Sequence, residues 1–310
     1  MSITSQIMKE HITVCICTFH RNPMLERLLR NLKLQETAGL FDFSVVVVDN
    51  DASGPARDTV MGLKAELGLD IVYDVEPEQT IPAARNHALQ LARGNYIGII
   101  DDDEFPPQTW LVTLFRAIQR FEVDGALGPV HPFFDGRPPS WLLKGRFCER
   151  PVHRTGTLLD WSQTRTGNVL LKRDVFDRHQ LRFDLNCRTS GSDRVFFKQA
   201  MELGYRFVAV EEAPVYEIVP PERWTRDFYL KRALLQGLNA HRNLAGERRG
   251  VSRVIAPMRS AVALTGYAVS LPLAACMGAH VLMKCMAGGA YHLGWLSSLL
   301  GIELIKKRNF

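Results

Sequence analysis

The chain has 310 residues, 46% hydrophobic and 23% charged, an ordinary globular composition that can bury a large core with room for an appendage. Its six cysteines follow no framework or metal-ligand spacing. That argues against a secreted disulfide scaffold and a zinc centre, and suits reduced thiols in a cytosolic setting. The formal net charge of +5 is mild but uneven, with basic residues gathered between Arg223 and Arg259.

Met1 to Glu10 holds no long apolar run, so no signal peptide is expected and the catalytic part should face the cytoplasm. Ile12 to Thr18 is rich in β-branched residues and predicts a buried strand. Pro23 suits a helix start, and Leu25, Leu28, Leu29 and Leu32 form the apolar stripe that follows. Ser44 to Val48 predicts a second strand that runs into Asp49-Asn50-Asp51. A turn at Ala52 to Pro55 then leads to a helix reaching about Leu67. A short strand is expected at Asp70 to Asp74, and a helix over Ile81 to Ala92 with Gly94 as its C-cap. Tyr96 to Ile100 is the fourth strand and Trp110 to Phe121 the next helix.

Strands alternating with helices predict a parallel sheet covered on both faces, in an α/β domain over residues 11–220. Right-handed crossovers bring the strand ends to one edge. Thr18, Asp49, Asn50 and the triplet Asp101-Asp102-Asp103 should therefore converge, at the edge where open α/β sheets bind ligands. After Val130 the pattern turns loop-like, irregular strands follow, and a helix is expected at Asp193 to Glu202. Sheet-type sequence gives way to basic helical sequence near Pro220-Pro221.

Adjacent carboxylates at the end of a buried strand repel one another unless a cation or a donor-rich ligand absorbs the charge. A solvated acidic turn is the plainer alternative. No glycine-rich dinucleotide fingerprint, P-loop, zinc-protease motif or nucleophile elbow is present. On the residues alone, Asp49 can be a turn residue or a ligand contact, and Arg85 a surface ion pair or a site residue. Thr18 can be a plain strand end. Asp193 can cap its helix or act as a base.

Four ordered blocks carry a resemblance: Val14 to Phe19, Val48 to Ser53, Ala84 to Leu89 and Ile100 to Glu104. With Gly191-Ser192-Asp193-Arg194-Val195-Phe196-Phe197 downstream, the chain resembles the family 2 glycosyltransferases of the GT-A fold. Thr166 to Leu170 and Val215 to Pro220 make it most similar to bacterial exopolysaccharide enzymes of the succinoglycan β-glucosyltransferase kind. The resemblance implies an inverting transfer from a nucleotide-sugar, such as UDP-glucose. Thr18, Asp49, Asn50, Arg85, Asp101 and Asp102 would lie on the nucleotide-sugar. Asp103, assisted by Asp101, would hold Mg2+ or Mn2+, with Asp102 as the spacer of the D-x-D motif. Asp193 would be the catalytic base. Relatives often have Glu before the base; here Ser192 stands there and is expected to cap the helix.

A nucleotidyltransferase of similar fold would need a glycine-rich basic loop after the first strand, where Phe19-His20-Arg21-Asn22-Pro23 stands instead. A non-catalytic membrane assembly partner would not require both Asp103 and Asp193.

The remaining residues, 221–310, form a basic and apolar tail. Ser260 to Met283 contains no charged residue, and Ala287 to Ile305 contains only Glu303 before Lys306-Lys307-Arg308. Two helices that span or re-enter a membrane, or amphipathic helices lying on it, are both expected forms. Soluble core helices would leave the basic flanks unexplained. Membrane lipids rather than nucleic acid are therefore the expected partners of the tail. A polyprenyl-diphosphate-linked saccharide acceptor at the cytoplasmic face of the bacterial inner membrane fits such a tail together with the exopolysaccharide likeness.

Overall fold

The computed structural model of the chain describes residues 9–187, 191–245, 252–302 and 304. They fall into two compact units. One combines Met1–Phe133 with Arg150–Ile218, and the other combines Phe134–Glu149 with Val219–Phe310.

The first unit begins with β1 (Glu10–Thr18), whose β-branched residues are buried on both faces. In α1 (Asn22–Lys33) a proline in the first turn sets the helical φ, and Leu25, Leu28, Leu29 and Leu32 are fully buried. Each such leucine contributes about 1.5–3 kcal/mol. Next come β2 (Phe41–Asp49), α2 (Arg57–Leu67) and β3 (Ile71–Val75). The following α3 (Ile81–Leu91) is capped by Thr80, whose hydroxyl accepts from the Ala83 N–H. It ends at Ala92 in an extended conformation, so Gly94 lies in the turn into β4 rather than at the C-cap. Then follow β4 (Tyr96–Ile100), β5 (Glu104–Phe105), α4 (Trp110–Phe121), β6 (Gly125–Leu127) and β7 (Val130–Phe133).

The chain next forms α5 (Ser140–Lys144), which belongs to the second unit, and returns for β8 (Asn168–Lys172) and α6 (Asp174–Asp177). The first unit closes with α7 (Ser192–Glu202), β9 (Phe207–Ala209) and β10 (Val215–Ile218).

Seven strands form one sheet in the order β3-β2-β1-β4-β8-β6-β9. It is mainly parallel rather than wholly so, because β8 runs antiparallel to both β4 and β6. That strand sets Asn168 opposite Ile100, immediately before the aspartate triplet. A small sheet in the order β5-β10-β7 braces the far side of the same loop. Alternate strand residues feed two buried clusters. Ile12, Val14 and Ile16 pack with α1 and α4; Cys15, Val46 and Val48 pack with α3 and α7. Both faces are covered, as continuous apolar strands require.

In the second unit, Trp141 and Phe147 meet Tyr229 at ring-centroid distances of 5.9 and 5.2 Å. Tyr229 lies on α8 (Arg226–Ala245), which is followed by α9 (Ser252–Cys276) and α10 (Ala279–Leu299). Gly237 and Gly294 lie where α8 and α10 cross, each against the other helix's backbone with no room for a Cβ. No helix among the described residues is long and apolar enough to cross a membrane. The spanning alternative for the tail is therefore corrected. Ser260 to Met283 lacks charge but is diluted by Thr265, Gly266, Tyr267, Ser270 and Pro272. Arg248, Arg249 and Lys306-Lys307-Arg308 lie outside the described residues, as do the side chains of Arg242 and Arg253.

Candidate active site

The expected convergence of strand ends is present. Parallel pairing of β1 with β2 and β4 brings Thr18, Asp49 and the aspartate triplet to one edge, and the Asn50 N–H donates to the Thr18 carbonyl at 2.8 Å. Thr18 Oγ1 donates to Asp102 Oδ2 at 2.8 Å. The Arg21 Nη1 donates to Asp102 Oδ1 at 2.8 Å and to Asp103 Oδ2 at 3.0 Å. Asp102 is thus bonded through both oxygens within the protein, and it braces the loop rather than serving as a mere spacer. Arg85, nearly buried, donates to Asp101 Oδ1 at 3.3 Å. It is no surface ion pair.

These carboxylates differ in exposure. The Asp101 side chain is 44% exposed, those of Asp102 and Asp103 only 5% and 11%. Burial pushes Asp103 up to about 7; Arg21 opposes that shift, while Asp101, Asp102 and Glu217 add to it. Burial likewise raises Asp102 against Arg21 and Thr18, and it raises Glu104 well above the usual carboxylate range. Arg21 itself loses by burial but is held charged by Asp102 and Asp103.

Glu104, Glu217 and Arg150 complete a charged cluster that the sequence motifs do not reveal. Arg150 pairs with Glu217, and the Ile218 N–H donates to the Asp103 carbonyl at 2.8 Å, so β10 clamps the triplet. Gly167 abuts the same loop. A Cβ there would lie 2.7 Å from Glu104 Oε1 and 3.0 Å from Asp101 Oδ2.

At the end of β2, Asp49 is fully buried. Its Oδ2 accepts from the Ala56 N–H at 2.8 Å and from the Tyr73 hydroxyl at 3.0 Å, while Oδ1 is buried without a partner. A buried acceptor left unpaired is costly unless a ligand supplies the donor. The Asx turn belongs instead to Asp51, which accepts from the Ser53 N–H. Asn50 Nδ2 donates to the carbonyls of Glu76 and Glu78 at 3.1 and 2.7 Å, which leaves the amide oxygen available to a ligand donor.

Asp193 stands in the first turn of α7. The N-cap is Gly191 at φ 90°, and no side chain caps the helix, so the expected Ser192 cap is absent. The packing ties this helix to Arg85. Phe196 stacks on Phe183 with centroids 4.7 Å apart, and the Arg85 guanidinium lies 5.5 Å from the Phe183 ring. Asn86 holds Phe183 through both its amide oxygen and its amide nitrogen, at 2.9 and 2.8 Å. Asn86 lies within the Ala84 to Leu89 block, whose spacing alone assigns it no role.

Among the described residues no cluster of three or more His, Cys, Asp or Glu side chains is arranged to hold a metal ion. Asp101 and Asp103 offer two hard oxygen donors. They are too few for a closed cage, though of the oxygen type that hard divalent cations take.

The profile described as Glycosyl transferase family 2 matches residues 13–180. The chain belongs to that family. It is 30% identical over 305 residues to the succinoglycan biosynthesis protein ExoM of Rhizobium meliloti (strain 1021), covering 96% of this chain and 95% of that protein. ExoW of the same organism, also named for succinoglycan biosynthesis, is 23% identical over 65% of this chain and 67% of its own. Among solved structures, residues 1–349 of S. aureus TarS in complex with UDP-GlcNAc superimpose with a TM-score of 0.54 at 17% identity. The match covers 96% of this chain and 93% of that one. At that identity the likeness shows the fold: the α/β sheet expected from the strand pattern, in the GT-A-like arrangement that the resemblance implied.

Proposed function

We propose that this family 2 glycosyltransferase transfers a sugar, with inversion, from a nucleotide-sugar of the UDP-hexose class to a lipid-linked saccharide in bacterial exopolysaccharide synthesis. The observation that carries the reading is the joined edge Thr18–Asp102–Arg21–Asp103, flanked by Arg85–Asp101 and by the unpaired Asp49 Oδ1. ExoM and ExoW are named for succinoglycan biosynthesis, and TarS was solved with UDP-GlcNAc; both support the substrate class.

In this reading Asp49 accepts from the ribose and the Asn50 amide oxygen accepts from the base N–H. Asp103, with Asp101 beside it, would hold Mg2+ or Mn2+, which when bound neutralises the departing diphosphate. Arg85 keeps Asp101 oriented. Asp193 takes the proton from the acceptor hydroxyl while that oxygen attacks the anomeric carbon opposite the diphosphate. The new C–O bond forms as the bond to the diphosphate breaks, which inverts the centre.

The second unit supports a place at the membrane surface. Along α9, Ile255, Met258, Val262, Val269 and Leu273 are exposed at helical spacing, from 49% to 76%. An interfacial helix carries such a stripe with basic residues nearby, here Arg259 and, on α10, Lys284. The acceptor would then be a polyprenyl-diphosphate-linked saccharide at the cytoplasmic face of the inner membrane.

The test is a panel of UDP-, GDP- and dTDP-sugars, assayed for binding and hydrolysis with and without Mn2+. Metal-dependent use of a UDP-sugar is expected. No binding of any nucleotide-sugar would overturn the reading.

A further inference from the structure

Arg21 has a geometry that neither strand ends nor motif spacing explains. Its backbone serves α1, because its carbonyl accepts from the Met24 and Leu25 N–H groups at 3.0 Å each. Its side chain makes no cap hydrogen bond to that helix. The guanidinium instead reaches across to the β4 loop and bridges Asp102 and Asp103 with one nitrogen. The two carboxylates are not equivalent. Asp102 retains Thr18 when the guanidinium leaves, whereas Arg21 is the side-chain partner of Asp103 among the described residues. The Arg21 side chain is 40% exposed, so it can swing without unpacking the core.

A divalent cation on Asp103 would lie beside this guanidinium, and like charges at such range repel strongly. The same cation arrives with a diphosphate, and a guanidinium is the side chain best shaped to receive phosphate oxygens. We propose that Arg21 is an exchangeable counter-ion. It holds Asp103 in the empty enzyme, yields that carboxylate to the incoming cation, and transfers its own contact to the donor diphosphate. Arg21 thereby disfavours the cation alone and favours cation and nucleotide together, coupling the two ligands. This inference rests on Asp103 being the cation ligand, as read above.

The test measures two affinities on the full chain: Mn2+ alone, by electron paramagnetic resonance, and UDP in the presence of saturating Mn2+, by calorimetry. Arg21→Gln is expected to bind Mn2+ about three- to tenfold more tightly than wild type and UDP about three- to tenfold more weakly. Arg21→Lys keeps the charge without the fork and should fall between them; it also serves if the Gln variant does not fold. Unchanged affinities, or a loss of both together, would overturn the exchange. Wild type that binds no Mn2+ even with UDP present would remove the cation reading itself. Wild type that binds Mn2+ no differently from Arg21→Gln would remove only the role of Arg21.

Discussion

The Thr18 hydroxyl donates to Asp102 Oδ2 at 2.8 Å in a buried bond that ties the last residue of β1 to the loop after β4. Backbone pairing between these strands ends earlier, at Cys15↔Ile99, so this side-chain bond extends the joint to the ligand edge. Thr18→Val keeps the shape but leaves a buried carboxylate oxygen unpaired, at a cost of about 1–3 kcal/mol. Urea denaturation should show that loss, and Thr18→Ser should recover most of it.

Gly167 leaves no room for a side chain against Glu104 and Asp101. Gly167→Ala must displace one of those carboxylates or shift β8, at about 1–3 kcal/mol of overpacking. Its effect should concentrate at the site: UDP affinity falls severalfold while the far-UV circular dichroism spectrum is unchanged. UDP affinity equal to wild type would place Gly167 outside the donor site.

Asp49 carries an unpartnered oxygen in a fully buried carboxylate. If that oxygen accepts from a ribose hydroxyl, Asp49→Asn removes a charge-assisted hydrogen bond of about 1.5–3 kcal/mol. UDP should then bind roughly tenfold or more weakly, measured by calorimetry. Sugar phosphates that lack the ribose should be unaffected.

The exposed stripe of α9 can be tested apart from catalysis. Val262→Asp combined with Val269→Asp introduces two charges at exposed positions, where folding is little affected. Co-sedimentation with anionic phospholipid vesicles should fall several-fold, with UDP affinity retained. Equal vesicle binding by both proteins would remove α9 as the membrane contact.

Much of the first unit was legible because its signals are local. Apolar periodicity located α1 and α4, and β-branched runs located β1, β2 and β4 to within a few residues. Pairing direction was not legible. The segment that holds Asn168 to Lys172 showed only irregular strand character, and only the fold shows β8 and its antiparallel direction. The insertion at 134–149 was equally hidden, since Trp141 and Phe147 find Tyr229 only in three dimensions.

At the site, strand-end carboxylates were readable from topology. The long reach of Arg21 was not, nor were Glu104, Glu217 and Arg150, because such contacts depend on side-chain direction. The expected Ser192 cap gave way to Gly191, whose positive φ turns the chain into α7.

The division of labour between Asp103 and Asp193 is the most direct test of the proposed chemistry. Donor affinity with Mn2+ and single-turnover transfer should be measured together for Asp103→Asn and Asp193→Asn, on an acceptor the wild-type enzyme uses. Asp103→Asn should lose metal-dependent donor binding. Asp193→Asn should bind the donor within about twofold of wild type while transfer falls about 10²- to 10⁴-fold. Transfer by Asp193→Asn within tenfold of wild type would contradict its role as the base.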